Sequence, residues 1–309
     1  MDIMILFPGK EESHYRNKKS QLKNKQNKVN KVMVIDSHQH FWKYKPSKHK
    51  WIDDSMSLIR KDFMPSDLKK VYNKNKIDGC IAIQADQTLE ETNFLLDLSK
   101  KNTFIKGIVG WIDLRASNID NTLEHYSNYK KIKGFRHIVQ NEEDHNFLLR
   151  PEFLRGISYL EKYNYVYEIL IFPHQLETTL EFVKKFPNHK FIIDHIAKPH
   201  IKDGLYDEWA RLMLEISKCE NVFCKMSGMI TEADYNLWTP EQITPYMDLI
   251  LTSFGSKRIL FGSDWPVCLV AGSYKKVKEL VTNFISKLSE NEKTNIMGKN
   301  AINLYNIKS

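Results

Sequence analysis

The run Asp36-Ser37-His38-Gln39-His40-Phe41-Trp42 sets two imidazoles two residues apart. In an extended strand alternate side chains share a face, so Asp36, His38 and His40 are expected to project to one side. Two imidazoles so placed can converge on one ion or one carbonyl oxygen. Alone, the pattern is commonplace as a solvated pair at a strand end. Three other runs repeat the design of an apolar stretch closing on a polar group. Phe191-Ile192-Ile193-Asp194-His195 ends in an imidazole, and Ile132-Lys133-Gly134-Phe135-Arg136-His137 ends in a guanidinium. Arg258-Ile259-Leu260-Phe261-Gly262-Ser263-Asp264 ends in a carboxylate. A lone strand-end Asp is most often a cap; four polar strand ends together describe a site. Alternation gives Asp264 the face of Leu260 and Gly262, toward His38 and His40, and turns Asp194 away from the interior.

These runs need a scaffold that brings their ends together. Eight β-branched or apolar segments read as strands: Val32–Asp36, Gly79–Gln84, Phe104–Ile112, Ile132–His137, Tyr165–Ile171, Lys190–His195, Asn221–Met226 and Arg258–Asp264. Between them lie stretches with helical spacing, among them Ser66–Lys76, Leu89–Lys100, Pro151–Tyr163, Leu176–Phe186, Tyr206–Cys219 and Pro240–Phe254. Pro151 and Pro240 suit first helical positions, and Thr239 suits an N-cap. Eight strands alternating with helices predict an α/β fold, a single-domain (β/α)₈ TIM barrel. An open doubly wound sheet is the main rival, weakened because no G-x-G-x-x-G follows the first strand. In a barrel, chemistry gathers where the strands end, and the polar groups stand there.

Length and charge agree. The 309 residues fit one barrel with extra segments, and 42% hydrophobic content is ample for its core. The net charge of +8 invites a nucleic-acid reading, but residues 1–31 hold eight Lys or Arg against three acids, +5 of the total. A basic tail beside a near-neutral body argues against nucleic acid as partner. Residues 1–31 read as a disordered basic extension and 32–309 as the barrel domain. Met33 opens the first strand, so translation could begin there. Ile3 to Phe7 is too short for a signal h-region, and no apolar run reaches membrane length. Cys80, Cys219, Cys224 and Cys268 form no CxxC pair and suit reduced thiols of a cytoplasmic protein. A homo-oligomer is compatible with all of this.

The runs IDSHQHFW, FIIDHIAKP, VFCKMSGMITEAD, RILFGSDWPV and NAINLY occur in order between Val32 and Tyr305. Together they resemble the amidohydrolase-related proteins, and within them the L-fuconolactonase/L-rhamnonolactonase-like branch. The resemblance implies a barrel hydrolase opening a small lactone, with His38, His40, His195 and Asp264 as the active site. Binuclear relatives bridge two metals through a modified lysine at the fourth strand end. Here Arg136 stands there and Lys133 faces the strand start, which argues against two metals. His38, His40, His195 and Asp264 offer N₃O ligation suited to one Zn²⁺. The branch implies two cases, one divalent ion or metal-free histidines donating to the carbonyl oxygen.

In either case Asp264 is expected to take the proton of the attacking water and return it to the leaving alkoxide. Arg136 presents a fork suited to a carboxylate or carbonyl. Lys198, Gln84, His174, Trp42 and Trp265 are further candidates for substrate contact; solvated loop, surface turn and barrel packing are their ordinary alternatives. No G-x-S-x-G elbow is present. A carboxy-lyase of the same superfamily and a non-catalytic binding barrel are the rival functions.

Overall fold

The computed structural model describes residues 33–308. Eight parallel strands follow one another around one sheet: β1 (Ile35–Gln39), β2 (Gly79–Ile83), β3 (Ile105–Gly110), β4 (Ile132–Ile138), β5 (Val166–Leu170), β6 (Phe191–Ile193), β7 (Val222–Met226) and β8 (Ile259–Phe261). A helix follows each: α1 (Pro65–Asn75), α2 (Leu89–Lys101), α3 (Ile119–Ser127), α4 (Pro151–Lys162), α5 (Leu176–Lys184), α6 (Asp207–Ser217), α7 (Pro240–Phe254) and α8 (Tyr274–Phe284). Two short helices, α9 (Glu290–Thr294) and α10 (Asn300–Leu304), complete the chain. This is the expected (β/α)₈ barrel. The disorder expected of residues 1–31 lies outside the described residues.

Local chemistry sets the helix starts. Thr88 Oγ1 accepts from Glu91 N at the head of α2, and Ser273 Oγ accepts from Lys276 N at the head of α8. Proline opens α1, α4 and α7, where its missing N–H costs no helical bond.

Two apolar layers divide the molecule. The larger lies between sheet and helices. The smaller fills the barrel with Ile35, Ile81, Ile83, Val109, Val166, Ile192 and Leu260. Ala301, Leu304 and Tyr305 join this inner layer at the end where the strands begin, so the C-terminal segment stoppers the barrel there. The opposite end carries the chemistry.

Strand parity departs from the expected alternation at β1. Asp36 pairs with Cys80 and Gln39 with Ala82, so three residues of β1 span two of β2. Such a bulge resets the alternation. Ile35 faces inward, Asp36 faces the helices, and His38 and His40 face inward again. The expectation that Asp36 shares the histidines' face is therefore corrected. Asp36 accepts from Ser263 N (2.9 Å), Ser263 Oγ (2.6 Å), Tyr72 Oη (3.0 Å) and Tyr274 Oη (3.0 Å). Burial raises its pKa, and these donors oppose that rise. It ties β1 to the segment after β8 and to α1 and α8. Two backbone bonds close the ring beside it, His40 N to Trp265 O (2.7 Å) and Asp264 N to His38 O (2.8 Å).

Candidate active site

His38 and His40 reach the barrel mouth from the end of β1. Their Nε2 atoms lie 3.2 Å apart. Asp264 enters from the loop after β8, its Oδ1 3.5 Å from His40 Nε2 and 3.9 Å from His38 Nε2. Burial raises the Asp264 pKa, but His195, His40 and Lys198 outweigh it and hold the carboxyl below its ordinary value. It is an anion at neutral pH.

His195 arrives by a different route. The strand β6 ends at Ile193, and His195, Ile196, Ala197 and Lys198 all adopt positive φ, from 48° to 61°. A left-handed turn costs L-residues about 1–2 kcal/mol each and persists only where its surroundings fix it. Here Ile196 and Ala197 are fully buried, and Trp209 Nε1 donates to Ile196 O at 2.8 Å. The turn swings the His195 ring to 4.2 Å from that of His38, centroid to centroid. Gly228, at φ +63°, makes room: a Cβ there would stand 2.5 Å from His195 Nδ1. Burial pushes the His195 pKa down to about 4, so its imidazole is neutral at neutral pH.

Beneath the histidines lies a charge network in which Arg136, expected to meet a substrate carboxylate or carbonyl, meets a carboxylate of the protein, and in which Glu168 and Lys225 were not anticipated. Arg136 Nη1 donates to Asp194 Oδ2 at 2.9 Å and lies 3.3 Å from His38 Nε2; its Nη2 donates to Gln84 O at 2.6 Å. Lys225 Nζ stands 2.6 Å from Glu168 Oε2, 3.0 Å from Asp194 Oδ1 and 3.1 Å from His38 Nδ1. Tyr305 Oη donates to Glu168 Oε1. Burial pushes the Glu168 pKa up to about 7, with Lys225 opposing. Burial also acts to raise Asp194, but Lys225, His38 and Arg136 more than reverse it and hold the carboxyl well below the usual range. Asp194 was expected to turn away from the interior; the structure corrects this. With β6 ending at Ile193, parity puts Ile192 and Asp194 inward, while the left-handed turn brings His195 inward as well. Glu168 and Lys225 each interrupt an apolar strand, VYEIL and VFCKM, and that interruption was the available signal.

The remaining candidates divide. Lys198 Nζ pairs with Glu232 Oε1 at 3.0 Å, at the edge of the site. The Gln84 amide donates to Arg136 O at 3.3 Å, so it holds the arginine strand end. Trp42 and Trp265 are core side chains packed on Phe63, with 1% and 2% exposure, and form wall rather than lining. His174 is exposed on the loop after β5, its ring 4.7 Å from that of His145, and does not join the cluster.

The donor set fits a divalent ion. One ligand atom from each of His38, His40 and Asp264 falls within 4.8 Å of the others, and all three residues are buried. His40 Nδ1 lies 3.0 Å from Ile83 O, which fixes the proton on Nδ1 and leaves the Nε2 lone pair for a ligand. His195 groups instead with His38 and Asp194, and its Nδ1 lies 2.9 Å from Ser227 Oγ. The four expected residues thus fall into two overlapping groups that share His38.

The family model for the amidohydrolases matches residues 35–307. The chain belongs to the amidohydrolase family. An L-fucono-1,5-lactonase of Burkholderia multivorans is 35% identical over 285 residues, 89% of this chain and 96% of the relative. An L-rhamnono-gamma-lactonase of Scheffersomyces stipitis is 28% identical over 206 residues, 59% of this chain and 61% of the relative. The crystal structure of an amidohydrolase from Burkholderia multivorans with bound zinc superposes with a TM-score of 0.87 at 35% identity, covering 90% of this chain and all of that one.

Proposed function

We propose that this amidohydrolase opens a sugar-acid lactone by adding water to its ring carbonyl. The observation that carries the reading is the convergence of His38, His40, His195 and the anionic Asp264 at one barrel mouth. The lactonase relatives support the substrate class. His38, His40 and Asp264 would hold one divalent ion, and the zinc of the superposed amidohydrolase supports Zn²⁺. When bound, such an ion supplies Lewis acidity toward a carbonyl oxygen.

The chain's own groups do the rest. Asp264 accepts the proton of the attacking water and returns it to the ring oxygen as the carbonyl carbon–oxygen bond breaks. Neutral His195 offers Nε2 toward the developing oxyanion, with Nδ1 held by Ser227. Arg136 and Lys225, fixed by Asp194 and Glu168, keep His38 in place and add positive charge beneath the site. Lys198 stands at the rim, where a hydroxylated substrate would pass. The unpaired thiols of Cys80, Cys219, Cys224 and Cys268 support a cytoplasmic setting.

The test is proton release over a panel of five- and six-membered sugar-acid lactones, before and after dialysis against chelator and again after zinc is restored. Ring opening lost on chelation and recovered with zinc supports the full reading. Ring opening unchanged in rigorously metal-free protein moves His38 and His40 to a hydrogen-bonding role. Carbon dioxide release without ring opening from an acid substrate replaces the reading by a carboxy-lyase.

A further inference from the structure

At the end of the barrel opposite the active site, a cavity of about 680 Å³ opens between the starts of β4 and β5, the loop before β6 and the C-terminal segment. Six lysines line it, Lys106, Lys130, Lys131, Lys133, Lys190 and Lys308, against one carboxylate, Glu161. Among the described residues, the lysines that form ion pairs are all others. Lys131 Nζ donates only to Ile105 O (2.6 Å) and Lys133 Nζ only to Asn306 O (3.0 Å). Burial lowers the pKa of both, and the neighbouring lysines lower it further. Like charges crowded into a concavity repel one another, and the single carboxylate of Glu161 leaves most of the six uncompensated.

The crowding is built into the strands. A Cβ at Gly79 would stand 2.6 Å from Lys106 Cγ, and a Cβ at Gly107 would stand 2.6 Å from Lys133 Cγ. Bare backbone at these two positions lets the lysine stems lie across neighbouring strands and carry their ammonium groups to the cavity. The lining contains no arginine. The guanidinium fork pairs bidentately with carboxylate and phosphate alike, whereas ammonium groups act as rotatable point charges, and several together suit an anion carrying several charges, such as a chain of phosphates. The volume is that of a small-molecule site.

We propose that this cavity binds a small multiply charged anion of the polyphosphate type. The site is separate from the lactone site and adds a ligand class that the hydrolytic reading does not contain.

The experiment is calorimetric titration of the full chain with sodium tripolyphosphate at about 0.15 M ionic strength, where exposed charges are largely screened. Three proteins are compared: the wild type, the cavity variant Lys131→Gln/Lys133→Gln, and the surface variant Lys218→Gln/Lys275→Gln. Saturable binding that weakens at least tenfold in the cavity variant and is unchanged in the surface variant supports the proposal. Equal binding by all three assigns the anion to the basic N-terminal extension or to diffuse surface charge and overturns it. Absence of saturable binding also overturns it, as does tighter binding of a short DNA duplex that is lost in the same cavity variant. Should the cavity variant fail to fold, lysine acylation of the wild type read by mass spectrometry decides. Tripolyphosphate should protect Lys131 and Lys133 while Lys218 and Lys275 react unchanged, and uniform reactivity contradicts the site.

Discussion

The two ends of the barrel handle positive charge in opposite ways. At the mouth, Arg136 and Lys225 are removed from water and each meets carboxylates, Asp194 for the first and Glu168 with Asp194 for the second. At the closed end, six lysines share an open cavity with one glutamate. The difference teaches where compensation is obligatory. A cation taken fully out of water must be matched within the protein, because an unpaired buried charge is costly. A cation at the wall of an open cavity stays partly hydrated and can be left for a ligand to match. The mouth is therefore self-neutralising, and the closed end is electrostatically unfinished.

The sharpest way to break this comparison is to remove one cation from the mouth. Lys225→Met leaves Glu168 and Asp194 without their shared partner and should cost about 3–5 kcal/mol of stability. A urea melt reads it as a lower midpoint at unchanged slope. A variant as stable as the parent would show that the network is not a stabilising unit.

A pH titration of stability comes next. Burial pushes His189, at the closed end, down to about 4. The unfolded chain then binds this proton first as pH falls, so the contribution is whole above about 6.5 and is lost progressively toward 4. The loss is on the order of 3 kcal/mol, and His189→Phe should flatten that part of the curve. An unchanged slope in the variant would place the acid sensitivity elsewhere.

Gly228→Ala probes the mouth's steric margin. A positive φ costs an alanine about 1–2 kcal/mol, and its Cβ must displace His195. Turnover should fall together with thermal stability, and retention of both would mean that the left-handed turn can move aside. Smallest of all is Lys131→Gln at the closed end. Removing one of six crowded cations in anion-free buffer should leave stability within about 0.5 kcal/mol or raise it slightly. A loss comparable to that of Lys225→Met would erase the distinction between the two ends.

The sequence carried the barrel and the four strand-end groups because both rest on pattern: eight apolar runs, each with a helix after it, and polar residues where the runs stop. Six helices read from apolar spacing were found within two residues of their expected bounds, and α7 began and ended as expected. What failed was strict alternation. A one-residue bulge moved Asp36 off the histidines' face, and an early end to β6 brought Asp194 inward. Neither a bulge nor a left-handed turn of non-glycine residues has a local signature in Ile35–Gln39 or His195–Lys198. Lys225 and Glu168 were visible as lone charges inside apolar strands, yet their pairing is set by register across β5 to β7, which depends on the closed barrel.

The central claim is that Asp264 is the base of a lactone-opening site, and Asp264→Asn tests it most directly. Asp264 sits at φ +56°, a conformation that asparagine tolerates, so the substitution leaves the backbone undisturbed. The amide keeps the shape and an oxygen donor for the ion but cannot accept the water's proton, so zinc content by elemental analysis should stay at the parental level. On the lactone the panel identifies, turnover should fall by about 10²–10⁴ with the melting temperature and KM little changed. An Asp264→Asn protein that folds normally and turns over at the parental rate would contradict the account.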